Sequence, residues 1–259
     1  MPASSVHFLL RLGALVVISI CLVGCGRSES YRYKLTLAVN TPDGIKRSSS
    51  VTKWDFWEVS IPARGIPHRL RGEALYLDLG PSASPLIALL TSHLHEKRDG
   101  VVWDWSGGDL LTRLYGMPST DFMDDVARLA RMRGPRRITP ADLPDLVTFA
   151  DVNDPKSVVE VNSKDLQATL GQNVTWNEIT LEMTDEPVTK GIELKLPWLN
   201  AYFQKNFRLD GTAYGTSNEL ANILSWNDLD QSGDLRREQL ATSHRMACSW
   251  LTWPECLFR

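Results

Sequence analysis

The feature that most limits how this chain can fold is an uncharged, strongly apolar run over residues 12–24. A helix needs about 20 such residues to cross a bilayer, so this run is too short for a permanent span. It has the size of the apolar centre of a secretory leader. Charge ahead of it is sparse, limited to Arg11, the amino terminus and His7 when protonated. The folding unit is therefore the remainder of the 259 residues. With 43% hydrophobic and 23% charged side chains, the chain carries enough apolar area for an ordinary globular core. Arg11 is the sole charged side chain in residues 1–24, so removing them shifts the formal net charge from −3 to −4. Such a body lacks the basic excess of a nucleic-acid binder, and no nucleic-acid partner is expected.

The run ends in Leu22-Val23-Gly24-Cys25, which resembles the bacterial lipobox, where an apolar residue and small residues precede a lipid-bearing cysteine. The resemblance implies a lipoprotein precursor. Residues 1–24 would be a cleaved signal peptide, and Cys25 would carry a thioether-linked diacylglycerol plus an acyl chain such as palmitate on its new amino group. Each buried methylene contributes about 0.8 kcal/mol, and stable anchoring takes more than one chain, a condition that acylated Cys25 meets. Gly26 stands where an aspartate would imply retention in the inner membrane. Anchoring in the outer membrane with the body facing the periplasm is the expectation, and residues 25–32 would form a short lipidated tether. An ordinary secretory leader and a short buried apolar helix are the competing readings. Once Cys21 is removed and Cys25 is lipidated, Cys248 and Cys256 are left. In an oxidising compartment they could close a loop worth about 2–3 kcal/mol; two unpaired thiols are the alternative.

In the body, Leu35, Leu37 and Val39 alternate along one face of a predicted strand. Asn40-Thr-Pro-Asp-Gly44 has turn chemistry. Further strands are expected over residues 49–60, 73–79, 86–91, 146–151, 157–161 and 174–183, the early ones as an antiparallel meander. The spacing of Phe122, Val126 and Leu129 predicts a helix over residues 121–133, with acids early and arginines late, ended by Gly134-Pro135. Shorter helices are expected over 163–170, with Ser163 as N-cap, and over 197–205, where Trp198/Tyr202 and Leu199/Phe203 pair at i, i+4. The fold class is therefore α+β, with an antiparallel β-rich N-terminal half and helices in the second half and at the C-terminus. Residues 33–216 form the main domain and 217–259 a helical appendage.

Tyr31-Arg-Tyr-Lys-Leu-Thr36 with Asn40-Thr-Pro-Asp-Gly44, Arg71-Gly-Glu-Ala74 and Thr184-Asp-Glu-Pro-Val-Thr-Lys-Gly191 resemble segments of a family of uncharacterised proteobacterial exported proteins. That resemblance spans most of residues 31–216, implies no activity, and transfers no catalytic residues.

The sharpest chemical motif starts at Asp228 and resembles an EF-hand loop. Asp228, Asp230, Ser232 and Asp234 occupy ligand positions for Ca²⁺, with Gly233 at the turn. Gln239 stands where a bidentate glutamate should close the site, and Arg236 and Arg237 repel a cation. A polar turn between helices explains the same residues. His93 and His95, near Glu96 and Asp99, would share a strand face but lack a matching distant pair for zinc; His68 and His244 are isolated. Trp54/Phe56 and Trp103/Trp105 are aromatic pairs, suited either to buried cross-strand packing or to a stacking platform for sugar or peptide. Arg131, Arg133, Arg136 and Arg137 form a basic run that could touch anionic headgroups or could lie solvated beyond a helix end. Nucleophile-elbow, zinc-protease and phosphate-loop motifs are absent. The expectation is a lipid-anchored binding or envelope-accessory protein, partnered by the membrane and by an envelope protein or small ligand. An envelope enzyme acting on glycan or peptide, and a weak calcium-binding module, are the alternatives.

Overall fold

The computed structural model describes residues 26–58, 66–81, 83–90, 110–111, 114–117 and 121–233. Cys25 and its lipobox, His93, His95, Trp103, Trp105, Asp234, Gln239, Cys248 and Cys256 lie outside the described residues.

The architecture is α+β. The first sheet contains β1 (Ser28–Thr41), β2 (Gly44–Trp57) and β3 (His68–Arg71), and the second begins with β4 (Leu75–Leu77) and β5 (Leu86–Ala88). Later strands complete both: β6 (Arg136–Arg137), β7 (Leu146–Phe149), β8 (Val158–Glu160) and β9 (Thr175–Met183). The first sheet runs β3-β2-β1-β9-β6 and the second β4-β5-β7-β8, with antiparallel pairing throughout the described ladders. The helices are α1 (Phe122–Leu129), α2 (Gln167–Leu170), α3 (Leu199–Lys205) and α4 (Leu220–Ile223).

Period-2 alternation explains the first sheet. Tyr33, Leu35 and Leu37 face inward from β1, opposite Met183, Leu181 and Ile179 of β9, while Lys34 faces outward beside Glu182 at 2.8 Å. The β1–β2 hairpin closes at Thr41 and Gly44 around Pro42-Asp43. Gly44 has φ +105°, a conformation that glycine adopts without steric cost. This hairpin extends β2 back to Gly44, earlier than the expected start.

The second sheet is buried on both faces, which is why residues 86–90 read as an unbroken apolar run. Leu86, Ala88 and Leu90 enter the core shared with the first sheet and α1, whereas Ile87 and Leu89 enter a second core with Val147, Phe149, Leu196 and Leu199. The early strands thus split between two stacked sheets, and the crossing lies at Gly72-Glu73-Ala74. Trp54 and Phe56 belong to the first core, 6% and 4% exposed, with ring centroids 5.9 Å apart.

Beyond β9 the chain crosses the outward face of the first sheet. Thr184 N–H donates to the Arg32 carbonyl at 3.1 Å, and Lys34 pairs with Glu186. Thr189 then reaches the far edge of β2, where it donates to the Val51 carbonyl and its Oγ1 accepts the Val51 N–H.

Four local expectations are corrected. The tether over residues 25–32 is already sheet from Ser28, and Glu58 N–H donates to the Arg27 carbonyl at 2.9 Å, because β2 is long enough to pair with it. Ser163 does not cap a helix. Asn162 Oδ1 accepts the Lys164 N–H and the Ser163 carbonyl accepts from Trp176 Nε1, so helix begins only at Gln167. In α1 the buried stripe is Met123, Val126 and Leu129, and Phe122 is 41% exposed at the rim, edge-on to Phe56. Residues 217–233, the described part of the expected appendage, are built into the second core through Leu224 and Leu229. There the Leu229 carbonyl accepts from Ala74 N–H and the Asp228 carbonyl from Leu90 N–H.

Candidate functional site

β3 is an edge strand in which Leu70 turns inward beside Trp54, so that Arg69 and Arg71 turn outward beside Asp55 and Lys53. Arg71 donates through Nε and Nη2 to Asp55 Oδ2, at 2.9 and 2.6 Å, and Lys53 approaches Asp55 Oδ1 at 2.6 Å. Burial opposes the charge on Asp55, yet Lys53 and Arg71 together hold its carboxyl below the ordinary range. Arg69 has no ion pair or hydrogen bond among the described residues.

The facing wall comes from the chain after α3. Asn206 ends that helix in the left-handed conformation, φ 53°, and its Oδ1 accepts the Trp226 Nε1–H at 3.3 Å. Phe203 of α3 meets the Trp226 ring edge-to-face at 4.7 Å. Trp226 opens a one-turn 3₁₀ helix, Trp226–Asp228, bounded by a reciprocal cap in which Asp228 Oδ2 accepts from Ser225 N–H and Oγ–H. The chain then runs past β3, bridging Asp230 to Glu73 and donating Gln231 N–H to the Gly72 carbonyl at 2.8 Å.

Between these walls lies a cleft of about 330 Å³. Arg69 and Arg71 stand on one side, Trp226, Asn227 and Gln231 on the other, with Leu70 and Asp230 beneath. Its volume sits at the lower end of the range of about 300–1,000 Å³ common for small-ligand sites. Asp230 is 1% exposed and accepts the Ser232 N–H through Oδ1. Behind it, Glu73 is buried and accepts the N–H groups of Gly191 and Ile192. Burial is the largest influence on Glu73, and Asp230 and Glu193 add repulsion. Against the two N–H donors these raise its carboxyl to about 7.

The sequence motifs fall out differently. Asp228, Asp230 and Ser232 do come close together, but the two carboxylates accept bonds from their own chain, and the loop is entered from a 3₁₀ turn rather than an α-helix. Asp234 lies outside the described residues, and among the described residues no three His, Cys, Asp or Glu side chains gather as a metal site. His68 packs its ring 5.3 Å from that of Trp54. Of the basic run, Arg133 pairs with Asp185, and Arg136 lies over the Tyr115 ring at 5.2 Å within β6. Arg69, Trp226 and Asn227 belong to no sequence motif, Arg71 opens the Arg71–Ala74 segment, and Gln231 is a non-ligand position of the EF-hand-like loop. Arg69 and Arg71 carry an Arg-Leu-Arg alternation, which also suits any solvated edge strand.

No family model, curated protein or solved structure matches the chain. Among the described residues no helix is long and apolar enough to cross a membrane.

Proposed function

We propose that this chain is a lipid-anchored periplasmic lipoprotein that works by binding, taking a small polar ligand in the cleft at the outer edge of β3. The observation that carries the binding role is the cleft itself. A guanidinium without a partner among the described residues, a fixed indole and two side-chain amides face one space. Polar donors held on a rigid edge strand and a capped turn are suited to recognition, since little order has to be created when a ligand arrives. The anchoring role rests on the leader and on Cys25. Arg27 is already bonded to β2, so about two residues, at most roughly 7 Å of chain, separate the sheet from the lipid-bearing position. The body would ride close to the headgroups.

Two measurements test the two halves separately. Cells fed alkynyl palmitate should label the parent protein and leave Cys25→Ser unlabelled; equal labelling removes the lipoprotein reading. For binding, the detergent-solubilised full chain should give a saturable heat with a polar ligand that fits the cleft, and Trp226→Ala should abolish it. Heat unchanged by that substitution would place binding elsewhere.

A further inference from the structure

The chemistry of the cleft walls narrows the ligand class, on the assumption that the cleft is the binding site argued above. We infer that its ligand is a carbohydrate carrying a carboxylate, with the sugar ring against Trp226 and the acid group on Arg69.

Charge sets the first limit. Arg71 is already committed to Asp55, and the buried carboxylate of Asp230 forms part of the same lining. A multiply charged group such as a phosphate ester would meet one guanidinium without a partner among the described residues, too little to balance its charge. A single carboxylate meets the planar donor fork of Arg69, whose geometry matches it in two parallel hydrogen bonds. A cationic ligand would face both arginines.

Polarity sets the second. An aromatic acid would satisfy Arg69 and Trp226 but leave the rest of the wall idle. Asn227 and Gln231 each offer an amide with both donor and acceptor capacity. Among the described residues the Asn227 side-chain amide makes no hydrogen bond, and Gln231 Nε2 makes one, to the Asn227 carbonyl at 3.2 Å. Groups that donate and accept in turn match the hydroxyls of a sugar, which do the same. Trp226 completes the set. Its ring is pinned by Phe203 and Asn206, so it presents a fixed apolar plate, and large aromatics gain most when such a plate is covered.

The test is calorimetry on the detergent-solubilised full chain with glucuronate and a short oligouronide, against glucose and benzoate. Uronide should bind more tightly than glucose and benzoate. Arg69→Gln, an exposed change on an edge strand, should weaken uronide binding about tenfold or more, as loss of a charge-assisted pair implies, and leave glucose unaffected. Trp226→Phe should weaken both sugars. It also identifies the Trp226 indole N–H resonance, which uronide should shift in the parent. Benzoate binding as tightly as uronide, with dependence on Arg69, overturns the sugar while leaving the cleft as a binding site. Uronide binding untouched by Arg69→Gln overturns the carboxylate contact. If none of the four probes binds to folded protein, the ligand class proposed here is wrong, whereas saturable binding of any other polar compound that Trp226→Ala abolishes would still uphold the cleft.

Discussion

The two carboxylate oxygens of Glu73 accept the N–H groups of Gly191 and Ile192, each at 2.9 Å. Through this contact the segment that crosses the first sheet lands on the turn joining the two sheets. Its neighbours in charge are Asp230 and Glu193, and its carboxyl is raised from 4.5 to about 7. A carboxyl raised on folding takes up a proton, so stability is greatest at acidic pH and declines as pH rises from about 4.5 through about 7. The decline from this one group should be on the order of 1–3 kcal/mol. Urea unfolding across pH 4.5–8 should show it, and Glu73→Gln should flatten the profile while lowering stability at pH 5. A parent profile that rises over that window would contradict the assignment.

Asn222 organises residues 210–217 from a position 1% exposed. Its Oδ1 accepts the N–H groups of Thr216 and Ser217, and its Nδ2 donates to Asp210 and Thr212. Asn222→Ala should cost about 2–4 kcal/mol, because several buried polar groups lose their partners together. Asn222→Asp should be nearly as harmful, since it sets a second carboxylate against Asp210. Chemical denaturation of both variants tests this; a neutral Asn222→Asp would show that the loop is held by other contacts.

Asp228 acts in the structure as a cap on Ser225. Asp228→Ala should therefore lower stability by about 1–2 kcal/mol, by the same amount with and without millimolar Ca²⁺. Thermal unfolding in chelator and in calcium decides it. A calcium-dependent gain in the parent that the substitution removes would support the metal reading.

The Trp54 indole N–H is buried without an acceptor among the described residues, while its ring stacks on Phe56. Trp54→Phe keeps the ring and removes the unsatisfied donor, so it should stay within about 1–2 kcal/mol of the parent. Trp54→Ala empties the site and should cost about 3–5 kcal/mol. Equal losses in urea titrations would mean that the N–H has a partner after all.

The strands were legible wherever one face of the chain met one environment. Leu35, Leu37 and Val39 announce β1, and the apolar run from Leu86 to Leu90 announces a strand covered on both sides. Helix limits were less legible, because Asn162 and Asp165 offer the backbone local turns that compete with helix. The cleft was not legible at all. Arg69 and Trp226 meet only after the second sheet and α3 have been placed between them in sequence, and each alone resembles an ordinary surface residue. The role of Glu73 was hidden in the same way, since the first residue of an expected strand carries no sign that Gly191 and Ile192 will reach it.

The return of β9 to β1, with Tyr33 opposite Met183, also bears on how the molecule assembles. A chain emerging amino terminus first can zip up its opening hairpin early, yet one flank of β1 stays bare until residues 175–183 follow. Partners so distant in sequence come together slowly, and a bare strand flank invites pairing with strangers. Until residues 175–183 arrive, that flank of β1 carries a row of backbone groups with no partner in the sheet.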